Sequence, residues 1–392
     1  AALKLNFLQD RKIPLAWLLL TRQPLRLLVA IAGICFAGIL MFMQLGFRDG
    51  LFDASVTVHK LFDADLVLVS PRSMSSISMS GFPRRRLVQA MAHKDVIGTT
   101  PVNWNFLLWR NPQTLSTRAI LALGFEPGSP LLIDPNFAEK AQSLKNSGRV
   151  LFDDLSRQEF GPVPEWFSEG RIVETEVAGK RVRVAGLVSL GPSFGADGNL
   201  ITSRETFLKL LPSTPPGSIE IGLVRLSAEA DHAKVLRSLA ASLPNDVKVL
   251  TRQEFIDFEK NYWRTSTSIG FIFTLGAAMG FVVGCVIVYQ ILYSDVSDHL
   301  AEYATLMAMG YRLRTLFGVV AREGIFLAVL GYVPAYLSGQ ALYALVRSST
   351  KLPVAMDPQR TFLVFFLILF MCMASASVAM RRLVDADPAD IF

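Results

Sequence analysis

Four long apolar segments run through this chain of 392 residues, and they are unevenly spaced. Leu25–Phe47 stands alone near the start, whereas Ile269–Tyr293, Gly324–Val346 and Phe362–Ala379 crowd the last third. A helix rises 1.5 Å per residue, so about 20 mostly apolar residues cross a hydrocarbon core of roughly 30 Å. Within Leu27–Leu45 the one strong polar residue is Gln44, and Ile269–Tyr293 has no ionisable side chain except Tyr289 and Tyr293. Neither can form the wet face of a soluble helix. The third segment opens on Arg322 and Glu323 and contains Pro334, which predicts a kink; the fourth is nearly pure Phe and Leu over Phe362–Cys372 and stops at Arg381–Arg382. The first apolar run exceeds the roughly 7–15 residues of a cleaved leader.

Lysine and arginine in short flanks resist translocation and so set orientation. Lys4, Arg11, Lys12, Arg22 and Arg26 precede the first segment, Arg312 and Arg314 lie between the second and third, and Arg381–Arg382 follow the fourth. Only Arg347, Lys351 and Arg360 fall in the opposite short loop. The expected fold is therefore an α-helical membrane protein with four transmembrane helices in a 1+3 arrangement. Both termini are cytoplasmic, and an α+β extracytoplasmic domain is inserted between helices 1 and 2. The expected boundaries are an interfacial segment 1–24, spans 25–47, 269–293, 317–346 and 362–380, an inserted domain 48–268, a cytoplasmic loop 294–316, an outer loop 347–361 and a tail 381–392.

A hydrophobic fraction of 51% and a mean hydropathy of +0.39 fit that layout. The net charge of +6 is mild, and the positive residues that cluster beside the spans are accounted for by lipid headgroups and topology, so nucleic acid is not an expected partner. Cys35, Cys285 and Cys372 all fall inside spans, which leaves the inserted domain with no disulfide and no cysteine metal site.

Along the chain, Leu15–Gln23 between Pro14 and Pro24 reads as a short helix on the membrane surface. Stalk helices are expected at 47–62 and 252–268, with an α+β part at 63–130 and 211–250 and a β-rich subdomain at 131–210. Asp65–Ser70 and Ala119–Leu123 read as strands and Pro83–His93 as a helix. Arg171–Val177 and Lys180–Val188 read as a hairpin about Ala178-Gly179, with Asn199–Thr202 as a further strand. Ile219–Leu226, Ala230–Leu243 and Val247–Leu250 complete a strand, helix, strand series. The tract Arg72–Gly81, rich in Ser and Met, reads as a loop too polar for a core. Gly276, Gly280 and Gly284, and likewise Gly331, Ala335 and Gly339, recur every four residues and let helix backbones approach closely, either as tight packing within the bundle or as a dimer seam.

The most suggestive stretch is the loop after the second span. Ser297–Met309 predicts a helix of about three turns, capped by Asp298, with Glu302 near its positive end and Gly310 suited to the left-handed turn that ends it. Leu300, Tyr303, Ala304 and Met307 share one face at i, i+3, i+4 and i+7, and that face is to be buried on lipid or in a partner's groove.

Motifs for catalysis are missing. Gly191-Pro-Ser-Phe-Gly195 has the form of a nucleophile elbow, but Gly198 and the strand at Asn199 deny the helix that must follow the serine. His59, His93, His232 and His299 lack a partner at zinc-helix spacing and read as surface residues. Arg84–Arg86 reads as a solvated helix end. No phosphate-cradling Gly-x-x-x-x-Gly-Lys motif occurs, so no cofactor, metal or catalytic residue is assigned to this chain.

Several stretches, in order, carry a family resemblance: Ile13–Arg22 leading into span one, Ala64–Leu68 after the stalk, Glu302–Tyr311 in the loop, Arg322-Glu-Gly324 opening span three, and Asp387-Pro-Ala-Asp390 at the end. On these the chain resembles ABC exporter permeases of the FtsX, MacB and LolC kind, and most closely the DevC proteins. The resemblance implies that Ser297–Met309 is a coupling helix for a separate ATPase, contacted through Leu300, Glu302, Tyr303, Ala304, Met307, Gly310 and Tyr311. It further implies a homodimer in the bacterial inner membrane, with ATP and magnesium held by the ATPase. A periplasmic adaptor, for which Arg72, Ser75 and Met79 are candidate contacts, would join the permease to a TolC-like outer-membrane channel, and membrane lipids would surround it. Export, leaning to glycolipid or lipid, is the implied activity. The alternatives are an FtsX-type scaffold that regulates a cell-wall hydrolase, and lipoprotein release.

Overall fold

The computed structural model describes residues 23–134, 136–309, 313–350 and 352–380. Most of the expected surface helix Leu15–Gln23, together with Gly310, Tyr311 and Asp387–Asp390, lies outside them. The chain divides into two compact units, one made of residues 1–50 and 269–392 and the other of Leu51–Ser268.

In the first unit are four helices long and apolar enough to cross a membrane: Pro24–Ser55, which runs past the unit boundary at Gly50, Ile269–Asp298, Leu313–Thr350 and Pro358–Ala379. The 1+3 arrangement is thus present. The fourth helix packs against both the second and the third. Their shared core joins Ile34, Met41 and Phe42 of the first helix to Leu292 of the second, Leu327 of the third and Ile368 of the fourth. Outward, the helices are apolar as well: Phe271, Ile272, Met279, Leu337, Phe366 and Phe370 are each more than half exposed. Apolar surface on both sides of a helix bundle suits lipid rather than water as solvent.

The second unit is built on one nine-stranded mixed sheet in the order β11-β1-β10-β3-β4-β8-β5-β7-β6. Its strands are β1 Leu66–Val69, β3 Val96–Arg110, β4 Thr117–Phe125, β5 Arg149–Asp153, β6 Glu174–Val177, β7 Lys180–Val188, β8 Asn199–Ser203, β10 Ile221–Leu226 and β11 Lys248–Thr251. The pair β2 Phe82–Pro83 and β9 Ser218–Ile219 forms a separate small sheet. In β1 the run Leu-Val-Leu-Val is apolar on both faces because both are covered: Leu66 and Leu68 enter one core with Leu87 and Leu239, and Val67 and Val69 enter another with Trp104 and Phe255. The β6–β7 hairpin turns at Ala178 and Gly179, both with positive φ (51° and 73°), which is the two-residue turn read from the sequence. The expected division into an α+β part and a β-rich subdomain is corrected to a continuous sheet, since β4 pairs in parallel with β8, and β3 with β6 at Trp109 and Val177, across that boundary.

The longest strand, β3, was not foreseen. Pro101, Asn103 and Asn105 break its apolar pattern, yet Asn103 is fully buried and donates to Glu220 Oε2 at 2.9 Å and to the Ser218 carbonyl at 3.2 Å. The glycine-rich run is likewise structural. Buried Asp153 accepts from the N–H groups of Leu190 (2.9 Å) and Gly191 (3.1 Å) and from Asn199 Nδ2 (2.7 Å), folding the turn back onto β8.

Candidate functional site

The second apolar helix ends at Asp298, and a nine-residue helix, Leu300–Ala308, begins two positions later. His299 is the joint. Its backbone (φ −100°, ψ 16°) leaves the helical region, its Nδ1 lies 3.1 Å from Glu302 Oε2, and its Nε2 lies 4.0 Å from Asp295 Oδ1. The expected cap at Asp298 is therefore corrected: that residue closes the preceding helix and pairs with Arg26 of the first helix.

Much of the face expected to dock is already covered. Tyr303 is 2% exposed within the bundle core, and Leu300 and Met307 pack, partly buried, against the same core. Helical periodicity says that a face must be buried but not which surface buries it. Glu302 and Met309 point outward, Met309 at 63% exposure. Ala304 lies on the helix, though its side chain is not among those described.

Beneath this helix is a polar cluster that the sequence did not reveal. Glu323 is fully buried and neither carboxyl oxygen has a hydrogen-bond partner; Asp295 Oδ2, Ser297 Oγ and the Tyr303 hydroxyl are likewise unpartnered. Burial, with the carboxylates of Glu323, Asp295 and Glu302 nearby, holds the Tyr303 phenol well above its ordinary range.

Each of the six small residues faces a neighbour in its own bundle. A methyl group added at Gly276 would lie 2.6 Å from the Gln44 carboxamide, at Gly280 3.1 Å from Leu40 Cβ and at Gly284 2.8 Å from Ala37 Cβ. Gly331 faces Ile34, Gly339 faces Phe42 and Met356, and the Ala335 methyl sits against Gly38. Of the two readings of these stripes, packing within the bundle accounts for every position.

Residues 265–388, which hold the last three long helices and the short one, match the model of the FtsX-like permease C-terminal family. Those residues form an FtsX-like permease domain. Relatives of the chain include two uncharacterized ABC transporter permeases from strains of Mycobacterium tuberculosis, MT0078 and Rv0072, each 22% identical over 319 residues and covering 79% of both chains. Solved structures similar to it include the periplasmic region of MacB from Actinobacillus actinomycetemcomitans (12% identity, 51% of this chain and 94% of that one, TM-score 0.34). Another is the extracellular domain of the noncanonic ABC-type transporter YknZ from Gram-positive bacteria (15% identity, 47% and 99%, TM-score 0.31).

At the opposite end of the permease bundle from His299, Arg360 is 7% exposed and fully engaged. It donates to Asp49 Oδ2 at 2.9 and 3.2 Å and to the Ala355 carbonyl at 2.8 Å, and its guanidinium lies 5.8 Å from the Tyr343 ring centre. The Tyr343 hydroxyl in turn donates to the Phe42 carbonyl. Sequence reading treated Arg360 only as a topological charge; an arginine in the first turn of an apolar helix is the signal that marks it.

In the inserted domain of the permease, Arg72–Gly81 is a loop of turns but not a polar surface tract. Ser73 and Ser75 are buried and Met79 packs against the main core, so of the three candidate adaptor contacts Ser75 is inaccessible, Met79 is largely covered and Arg72 alone is exposed. A buried glutamate holds the loop: Glu259 accepts from the Ser76 N–H at 2.7 Å and from Trp263 Nε1 at 2.8 Å, while Trp104 Nε1 donates to the Ser76 carbonyl at 2.7 Å. His59 is 2% exposed, against its expected surface position. Its Nε2 lies 3.9 Å from Glu259, and its ring packs between Phe255 (4.7 Å) and Trp104 (5.5 Å). Burial pushes the His59 imidazole down to about 3 and raises the Glu259 carboxyl, the latter opposed by its hydrogen bonds from Ser76 and Trp263.

Proposed function

We propose that this permease is the membrane subunit of an ATP-driven exporter whose ATPase is a separate chain. The observation that carries the reading is the short helix Leu300–Ala308. It follows the second span directly, is seated on the bundle by Tyr303, and turns Glu302 and Met309 outward. A seated helix moves with the bundle, so a partner gripping its outer side transmits force to the spans. In this reading the short helix faces the cytoplasm and the inserted domain faces the periplasm. Two permease chains pair with two ATPases that hold Mg-ATP, and the inserted domain contacts an adaptor leading to an outer-membrane channel. The helix Pro24–Ser55 and the helix Arg252–Thr265, which bracket the inserted domain, act as the stalks. A lipid or lipid-linked cargo suits the route best.

The test is co-purification with the ATPase and ATP-coupled export after Met309→Glu and Glu302→Lys. Each is expected to weaken association about tenfold, equivalent to ~1.4 kcal/mol, while leaving membrane insertion unchanged. Normal association and export in both variants would remove the short helix as the docking element.

A further inference from the structure

Two neighbouring parallel strands of the inserted domain end side by side. Phe125, the last residue of β4, pairs with Ser203, the last of β8, so Glu126 and Arg204 leave the sheet together. With the turn Ser143–Lys145 they border an open cleft of about 460 Å³, a volume typical of small-molecule sites. Its apolar lining is Pro127, Leu208 and the buried Leu144; its charged lining is Glu126, Glu205, Lys145 and Arg204. The two acids are engaged and the two cations are not. Glu126 Oε1 lies 2.6 Å from Arg84 Nη2, and Glu205 Oε1 lies 2.6 Å from Lys209 Nζ. Arg204, by contrast, is held by neutral groups alone: Nε donates to Asn103 Oδ1 at 3.1 Å, and Nη2 donates to the Ser218 carbonyl at 3.3 Å and to the Pro216 carbonyl. Asn103 is itself fixed, since its amide donates to buried Glu220 at 2.9 Å. The guanidinium is thereby positioned, and Nη1 has no acceptor among the described residues. Burial and the nearby Arg84 hold it below the ordinary arginine range, with Glu126 and Glu220 offsetting them only in part. Lys145 is exposed, and among the described residues no acid lies within ion-pair distance of it.

We propose that this cleft binds an amphiphilic anion: a carboxylate or phosphate group on Arg204 Nη1 and Lys145, joined to an apolar chain that lies along Pro127 and Leu208. An anion supplies the charge that the neutral acceptors of Arg204 leave unmatched, and hydrogen bonds between ionised partners are roughly twice as strong as neutral ones. The apolar lining favours a ligand with a chain over free phosphate, because the chain removes that surface from water. Glu126 and Glu205 do not repel the anion strongly, since Arg84 and Lys209 already neutralise them. The site lies wholly within the inserted domain and uses neither the spans nor the short helix Leu300–Ala308, so it stands or falls apart from the export reading.

The experiment uses the full chain in lipid nanodiscs, dialysed to equilibrium against hexyl phosphate or hexanoate, with binding to empty nanodiscs subtracted. Saturable binding of at least one of the two, at one site per chain, is expected, with inorganic phosphate and hexanol each bound about tenfold more weakly or worse. Binding of hexyl phosphate alone assigns the site to phosphate esters, and binding of hexanoate alone assigns it to carboxylates; either supports the proposal. Arg204→Gln should weaken binding about tenfold and Lys145→Glu about threefold, while Lys94→Gln, at an exposed lysine outside the cleft, should leave it unchanged. The proposal is overturned by the lack of saturable binding, by hexanol or inorganic phosphate binding as well as the amphiphiles, or by binding that neither Arg204→Gln nor Lys145→Glu weakens. Arg204→Gln also removes the bonds to Asn103 and to the carbonyls of Pro216 and Ser218. If that variant fails to fold, Lys145→Glu, a surface change, decides alone, and unaltered binding in it again overturns the proposal.

Discussion

Glu259 and Glu323 are equally buried, at 1% and 0% exposure, and their surroundings are opposite. Glu259, in the inserted domain, has a donor on each oxygen and lies beside His59. Glu323, in the bundle, has a basic or amide donor on neither and lies against the acid of Asp295, with the unpaired Tyr303 hydroxyl nearby. Burying a carboxylate is costly unless donors replace the lost water. Glu259 meets that condition in the resting chain, which makes it a structural clamp between the loop 72–81 and the helix entering the second span. Glu323 does not. Its end of the bundle is held less completely than the Arg360 end, where Asp49, Tyr343 and the Ala355 carbonyl close the network.

The largest effect that sharpens this contrast is expected from Glu259→Ala. It strands the Ser76 N–H and the Trp263 indole N–H in a buried site and leaves His59 beside a void. Each unmet donor costs about 1–3 kcal/mol, so a loss of about 3 kcal/mol or more is expected. Thermal unfolding of the purified permease in detergent, with proteolysis of the loop 72–81 as a local readout, checks it. A loss under about 1 kcal/mol would mean that the clamp is not structural.

Neither glutamate's role was legible in the sequence. The spans, the 1+3 order, the β6–β7 hairpin and most short strands follow from local rules: unbroken apolar length, period-two alternation, and Ala178-Gly179 at positive φ. The clamp depends on a contact between Ser76 and Glu259 across 183 positions, and no local pattern encodes such a pair. The same gap explains Tyr303. Its face was legible as apolar, but the surface covering it is the bundle itself, formed by helices distant in sequence. Serine-rich composition misled in the other direction, since Ser73 enters the interior with its hydroxyl bonded to the Ser80 N–H, and Ser75 with its hydroxyl unpartnered in a loop that Glu259 holds. β3 was hidden by Asn103, whose amide is satisfied only after β10 has brought Glu220 alongside.

A smaller effect, but one with a sign, comes from pH. Folded His59 takes a proton only near 3, whereas the unfolded chain takes one at the ordinary 6.5, so its contribution is present above pH 6.5 and is lost as pH falls toward 3. Folded Glu259 holds its proton above the ordinary 4.5, so its contribution is present below 4.5 and fades as pH rises through its raised value. The two oppose each other at mildly acidic pH. Glu259→Gln leaves His59 alone, and stability should then fall by up to ~1.4 kcal/mol per pH unit below 6.5, more steeply than in the parent. His59→Phe should reverse the trend relative to the parent. Melting temperatures from pH 7 to pH 4.5 decide it, and parallel curves for all three proteins would show that the pair does not titrate as a unit.

The smallest expected change is the most telling for the comparison. Glu323→Gln keeps the shape of the side chain, takes one acid out of the buried Glu323–Asp295 pair, and supplies an amide N–H₂ to Asp295 or to the Tyr303 hydroxyl. Where a clamp loses stability on such a change, an unpartnered carboxylate should lose none, and a gain of up to about 1 kcal/mol is expected. Arg360→Gln, at the completed end of the same bundle, should instead cost about 2 kcal/mol, with Asp49 left partly exposed to soften the loss. Both are read as melting temperatures in one detergent at one pH. If Glu323→Gln destabilises as much as Arg360→Gln, the two ends of the bundle are equally braced. If it does not, the carboxylate at position 323 is kept for something other than holding the resting fold together, and the helix seated above it by Tyr303 is the element that group can influence.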